Sequence, residues 1–216
     1  MKQDVKERLL VSGLKVFANK GFEGATVREI CDDARSNIAG INYYFGDKRG
    51  FYAAVREYAR SIRSAVMEKC WKALETDPWK ALELHVEIML DYTYDETMFD
   101  INWLFLRELI DDNGDESSSH PRSPSDEERR KTYEERMTRL LTSLLGEEAA
   151  TPANISLLRY TYHSLCRFLP IQSRIEKRQL KGKGVFDVRK SYGKKELSDY
   201  IVAIVKRAVE EIRGRQ

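Results

Sequence analysis

Cysteine is scarce, with 3 in 216 residues. Cys31, Cys70 and Cys166 stand far apart, are odd in number and form no C-x-x-C. That argues against a disulfide framework and fits a reducing compartment, where thiols act as small apolar side chains. Long apolar runs are missing as well. No window approaches 18 apolar residues, and the opening MKQDVKERLLVSGLKVFANK alternates charge with hydrophobe and builds no apolar leader core. The expectation is a cytoplasmic protein with no membrane partner. Histidine is nearly absent: only His85, His120 and His163 occur, and G-x-S-x-G, the P-loop and H-E-x-x-H are all missing. No enzyme and no cofactor are expected. His163 and Cys166 lie i, i+3 and could offer a metal two ligands, but without an evident third and fourth they read as core, so no metal is expected. Asp111, Asn113 and Asp115 begin like a calcium loop, yet Glu116 stands where glycine is needed and Arg122 where glutamate is needed. A large charge of one sign is also lacking: 37 Lys and Arg face 35 Asp and Glu, for a net +2. A strongly basic coat that binds nucleic acid through bulk charge is thereby disfavoured.

The near neutrality is a cancellation. Residues 1–50 carry 9 basic and 7 acidic side chains, residues 51–173 carry 15 and 22, and residues 174–216 carry 13 and 6. Any nucleic-acid affinity of the N-terminal part would rest on placed contacts more than on a general positive field.

What is present is helical periodicity along almost the whole chain, with no stretch of sustained period-2 alternation. Val5, Leu9, Leu10, Leu14 and Phe17 share one side of a helix over about 3–20, stopped by Gly21 in a position that favours φ > 0. Thr26-Val27-Arg28-Glu29 spells a capping box for a short helix ending near Ala34. Asn37 is an N-cap for a second short helix over 38–44, and Asp47 for a long one over 48–75. Further helices are expected at 79–94, 97–111, 126–145, 153–171 and 194–213. The polar stretch 113–125 reads as a surface loop, and the basic stretch 173–193 as a loop or an extension of its neighbours. The fold class expected is all-α.

Two short helices around a tight turn, between a longer helix and a very long one, are a helix-turn-helix over 26–45, wedged by Val27, Ile30, Ala34, Ile41 and Phe45. The second helix of such a pair presents its first turn, here Asn37, Ile38, Ala39 and Gly40, to a major groove. Gly40 costs about 1 kcal/mol of helix propensity relative to alanine, which makes sense if another backbone comes close.

Residues 9–52 resemble the TetR family of bacterial transcriptional repressors. The resemblance is carried by Gly21-Phe22, Thr26, Ile30, Ala34, Ile41, Tyr43-Tyr44-Phe45 and Lys48. The run Ala39-Gly40-Ile41-Asn42-Tyr43-Tyr44-Phe45-Gly46 is similar to a subset with an A-x-I-N-Y-x-F-G signature, and Trp103 through Arg107-Glu108 echoes that subset's C-terminal half. Arg35 departs from the pattern where glycine is common, and Asn42 where tyrosine is common. The resemblance implies that Arg28, Asn37, Ile38, Ala39, Gly40 and Tyr43 face bases, while Thr26, Asn42, Tyr44 and Lys48 meet phosphates. It further implies a DNA-binding head over 1–52 joined by a long helix to a helical bundle over 53–216 that binds a ligand and dimerises through the last two long helices.

The expected function is a homodimeric repressor on a palindromic duplex DNA operator, released by a small, mostly apolar or aromatic inducer. The rival is a DNA-bound structural or protein-interaction factor without an inducer. Small-molecule sites are apolar hollows with a few polar groups. On that basis Tyr92, Trp103, Arg107, His163 and Arg167 are the ligand candidates, aromatics and polar residues interrupting apolar faces.

Overall fold

The computed structural model describes residues 4–111, 124–179 and 191–215, and every regular element among them is a helix. In order these are α1 (Val5–Gly24), α2 (Val27–Asp33), α3 (Ile38–Phe45), α4 (Lys48–Leu74), α5 (Pro78–Tyr94), α6 (Glu96–Asp111), α7 (Pro124–Leu145), α8 (Pro152–Gln179) and α9 (Lys194–Gly214). The all-α expectation holds. α8 continues through Pro170 to Gln179 instead of ending at 171. Residues 113–123 of the stretch expected as a polar loop and residues 180–190 of the basic stretch lie outside the described residues.

Short-range signals fix the helix starts. Asp47 Oδ1 accepts the Gly50 N–H at 2.7 Å and opens α4. Asp77 Oδ1 accepts from the amides of Trp79 and Lys80 at 2.9 and 3.0 Å to open α5, and Asp95 Oδ1 accepts from Met98 at 2.8 Å to open α6. Each satisfies amides that a helix start leaves without an intrahelical acceptor, and each sets a carboxylate at the positive end of the helix dipole.

The packing divides into two units. One comprises Met1–Ala65 with Asp95–Pro121, the other Val66–Tyr94 with Arg122–Gln216, and α4 runs through the boundary. This differs from a division at 52/53, because α6 packs along α1. In the first unit Phe17 is fully buried, edge-on to Tyr52 at 4.8 Å and tilted against Phe51 at 5.8 Å. Burying a side chain of this size contributes about 1.5–3 kcal/mol. Gly13 lets α1 and α4 cross closely: a Cβ there would sit 2.6 Å from Phe51 Cζ and 2.7 Å from Val55 Cγ2. In the second unit α5 packs against α7, α8 and α9 around Leu82, Leu90, Met137, Leu140 and Tyr162.

Candidate nucleic-acid interface

The turn between α2 and α3 is built from backbone hydrogen bonds. Ser36 N–H donates to Cys31 O at 2.9 Å and Arg35 N–H to Asp32 O at 3.2 Å, the paired bonds of a Schellman helix end. That end requires a left-handed residue, and Arg35 fills it at φ +50°. The departure seen in the sequence therefore falls where glycine is favoured, and it costs roughly 1–2 kcal/mol. Arg8 Nε donates to Ala34 O at 3.1 Å and ties this end of α2 to α1.

Both short helices are capped as their sequences predict. Thr26 Oγ1 accepts from Glu29 N–H at 3.2 Å, though Glu29 Oε1 lies 2.6 Å from Lys20 Nζ instead of returning to the Thr26 amide. Asn37 Oδ1 accepts from Gly40 N–H at 2.9 Å, which orders the first turn of α3. Within the protein, Gly40 lies close to side chains. A Cβ there would lie 3.2 Å from Ser36 Oγ and 3.6 Å from Leu9 Cδ1.

α3 buries Ile41 to 1% exposure and turns its other side outward, with Tyr43 at 83% and Ile38 at 49%. Thr26, Arg28, Asn37, Ala39, Asn42 and Tyr44 are exposed too, while Gly40 and Lys48 are half-buried. Tyr43 and Tyr44 meet edge to face at 5.0 Å. Lys48 Nζ stands 4.6 Å from the centre of the Phe22 ring, a cation–π contact that fixes its ammonium. Lys15 is paired with Asp33 at 2.9 Å, and its hydrogen bond and charge, with a bond from Ser12, hold the Asp33 carboxyl below the usual carboxylate range. Arg28, in contrast, makes no hydrogen bond or ion pair within the described residues. Gly50 is an essential position that the sequence reading missed: a Cβ there would lie 2.3 Å from the Phe45 carbonyl oxygen, so only glycine lets α4 start so close to the end of α3.

Residues 9–55 match the sequence profile of "Bacterial regulatory proteins, tetR family". The head is similar to the DNA-binding domain of that family. The chain is 44% identical over 50 residues to the Bacillus subtilis protein called "Probable HTH-type transcriptional regulator YttP", covering 23% of this chain and 24% of that one. It is 32% identical over 87 residues to the HTH-type transcriptional repressor NicS of Pseudomonas putida, covering 40% and 41%. The matched region thus spans less than half the length of either relative. The fold is shared with a solved HlyIIR mutant protein at a TM-score of 0.54 and 19% identity, over 94% of this chain and 96% of that one.

The five ligand candidates fall in both packing units. Trp103 and Arg107 lie half-buried in the unit that carries the TetR-type head. Arg107 Nη2 donates to Asn19 O at 3.3 Å, beside Gly21, whose φ is positive as expected (+74°) but kinks α1, which runs on to Gly24, instead of ending it. Tyr92 and His163 are buried in the second unit, and Arg167 is exposed there. His163 belongs to an aromatic cluster with His85, which the sequence reading did not single out. The two imidazoles stack at 5.8 Å and 10°. His85 Nε2 is 3.2 Å from the Tyr133 hydroxyl and His163 Nε2 is 3.0 Å from that of Tyr162. Burial pushes both imidazoles down to about 3, reinforced by the charges of Arg167 and Arg159, so both are neutral at pH 7. Burial likewise pushes the Cys70 and Cys166 thiols up to about 12, which keeps them protonated. Among the described residues no three His, Cys, Asp or Glu are grouped to hold a metal, and no helix is long and apolar enough to cross a membrane. An open depression of about 500 Å³ lies along α7, lined by Lys131, Glu134, Thr138 and Arg139 among others, and touches none of the five candidates.

Proposed function

We propose that the protein is a cytoplasmic, homodimeric TetR-type repressor that binds a palindromic operator and is released by a small ligand. The observation that carries this is α3, a short helix capped and wedged on one side whose other side offers Asn37, Ile38, Ala39 and Tyr43 to solvent. In this reading Arg28, Asn37, Ile38, Ala39, Gly40 and Tyr43 face bases, and Thr26, Asn42, Tyr44 and Lys48 meet phosphates. Arg28 suits guanine, whose O6 and N7 accept a bidentate guanidinium. The Asn37 oxygen is engaged as a cap, so its amide N–H2 is the group left to donate.

One such head reads few base pairs, so two are needed, spaced by about a helical turn or a multiple of it. α8 and α9 are the proposed dimer helices. Support comes from Leu157, Tyr160 and Phe168, exposed at helical spacing on α8, and Tyr200, exposed on α9. Residues 53–216 act as the ligand-binding and dimerising part, with Tyr92 and His163 in the pocket wall and Arg167 beside them. Trp103 and Arg107 are the other two proposed ligand contacts. A ligand that prefers the state with recognition helices too far apart for successive grooves lowers DNA affinity by that difference in binding.

The test is a gel-shift titration with the palindromes upstream of the gene and its neighbours, paired with the oligomeric state in solution. A dimer that shifts one palindrome at lower concentration than mixed-sequence DNA supports the reading; a monomer, or a dimer without preference, overturns it. A second reading is a DNA-bound interaction factor with no inducer. It is favoured by the tight filling of the second unit around His85, Tyr162 and His163. A thermal-shift screen with hydrophobic compounds and antibiotics separates the two: ligands that stabilise the protein and release DNA support the inducible repressor, and ligands that never release DNA support the factor.

A further inference from the structure

Among the described residues, the backbone enters the left-handed region at Gly21, Gly46, Gly146 and Arg35. Three of these four positions carry the residue that tolerates it without penalty. Arg35 alone is strained, and its guanidinium makes no hydrogen bond or ion pair within the described structure. Among the described residues the strain is therefore not offset by a hydrogen bond or ion pair of the side chain. The root of the side chain is nonetheless held firmly, by Arg35 N–H to Asp32 O, Ser36 N–H to Cys31 O and Arg8 Nε to Ala34 O. Such outliers persist where surrounding structure over-determines them, and they cluster at functional sites.

Arg35 directly precedes the exposed first turn of α3, Asn37 to Ala39, and is itself exposed. Its nearest acidic neighbours in sequence are Asp32, exposed, and Asp33, already paired with Lys15. An exposed carboxylate at this end of α2 repels a polyanion, and the positive charge of Arg35, three residues on, offsets that repulsion. Guanidinium also matches phosphate geometry through parallel N–H donors.

We propose that Arg35 is a DNA-backbone contact, its guanidinium binding a phosphate diester of the duplex that α3 reads. This rests on the DNA-binding reading above and adds a contact at the turn, outside the recognition helix. It has a signature that few surface arginines share, because stability and DNA affinity must move in opposite directions when the side chain is removed.

The test uses the full-length protein, a 30-base-pair mixed-sequence duplex as probe, and fluorescence anisotropy across a salt series, with urea unfolding of the same proteins. Arg35→Gly raises the unfolding midpoint while weakening DNA binding, and it lowers the slope of log affinity against log salt by about 0.9 per head. Arg35→Lys keeps the charge and the strain, so it retains the slope and leaves the midpoint near that of the parent. Arg35→Gly with an unchanged salt slope, while the parent binds, overturns the contact and leaves the DNA-binding reading standing. A parent protein that does not bind the duplex overturns both.

Discussion

Arg107 of α6 closes the end of the first straight segment of α1 by donating from Nη2 to the Asn19 carbonyl at 3.3 Å, beside the kink at Gly21. The kink leaves α1 carbonyls without the amides that would continue the helix, and a cation at a helix C-terminus also complements the dipole. The guanidinium packs so closely that a Cβ at Gly21 would lie 3.2 Å from Nη1. Arg107→Ala removes this cap and its packing, and should lower stability by about 1–2 kcal/mol. Urea unfolding checks it. Arg107→Lys, with one compact ammonium in place of the planar fork, should recover only part of the loss.

Gly50 makes the sharper steric prediction. A methyl group 2.3 Å from the Phe45 oxygen cannot be accommodated without moving the first turn of α4, where Lys48 sits. Gly50→Ala should cost about 1–3 kcal/mol and weaken DNA binding by displacing the Lys48 ammonium. Gly24→Ala is the control, since its Cβ would meet only Lys20 Cβ at an ordinary 3.5 Å. Thermal unfolding of the two variants should separate them, with Gly24→Ala close to the parent.

The buried imidazole pair sets a pH dependence. His85 and His163 are held near 3 in the fold, while histidines in the unfolded chain titrate near 6.5. Below pH 6.5 the unfolded chain takes up protons that the folded chain refuses, so stability falls as pH drops from about 6.5 toward 3. At pH 5 the loss is about 2 kcal/mol per imidazole. His163→Gln should flatten the fall in urea midpoint between pH 7 and pH 5 relative to the parent. An equally steep fall in the variant would show that other groups set the pH response.

The features legible in the sequence are those decided within a few residues. Thr26, Asn37 and Asp47 were readable as caps because a cap bonds an amide two or three positions on. Gly21 was readable because helix ends need a positive φ that glycine supplies. The ten candidate DNA residues follow from a local motif, and the exposure of Ile38, Ala39, Asn42, Tyr43 and Tyr44 on α3 follows from the helical period that buries Ile41. What sequence could not reveal depends on partners far along the chain. Arg107 meets Asn19 across 88 positions, a contact that no neighbouring residue announces. Gly50 is dictated by a carbonyl of the preceding helix, and no composition rule points to it. The end of α8 was misplaced because the helix runs on past Pro170.

The most direct test of the central claim is the affinity of Lys48→Ala and Arg28→Ala for the operator palindrome and for mixed-sequence duplex, measured across a salt series. If α3 and its flanks form the DNA interface, Lys48→Ala weakens binding to both duplexes equally and lowers the salt slope by about 0.9 per head. Arg28→Ala instead narrows the gap between operator and mixed sequence, by roughly 1–3 kcal/mol if it reads a guanine. Unchanged affinity and salt slope in Lys48→Ala, with an undiminished operator preference in Arg28→Ala, would contradict the account.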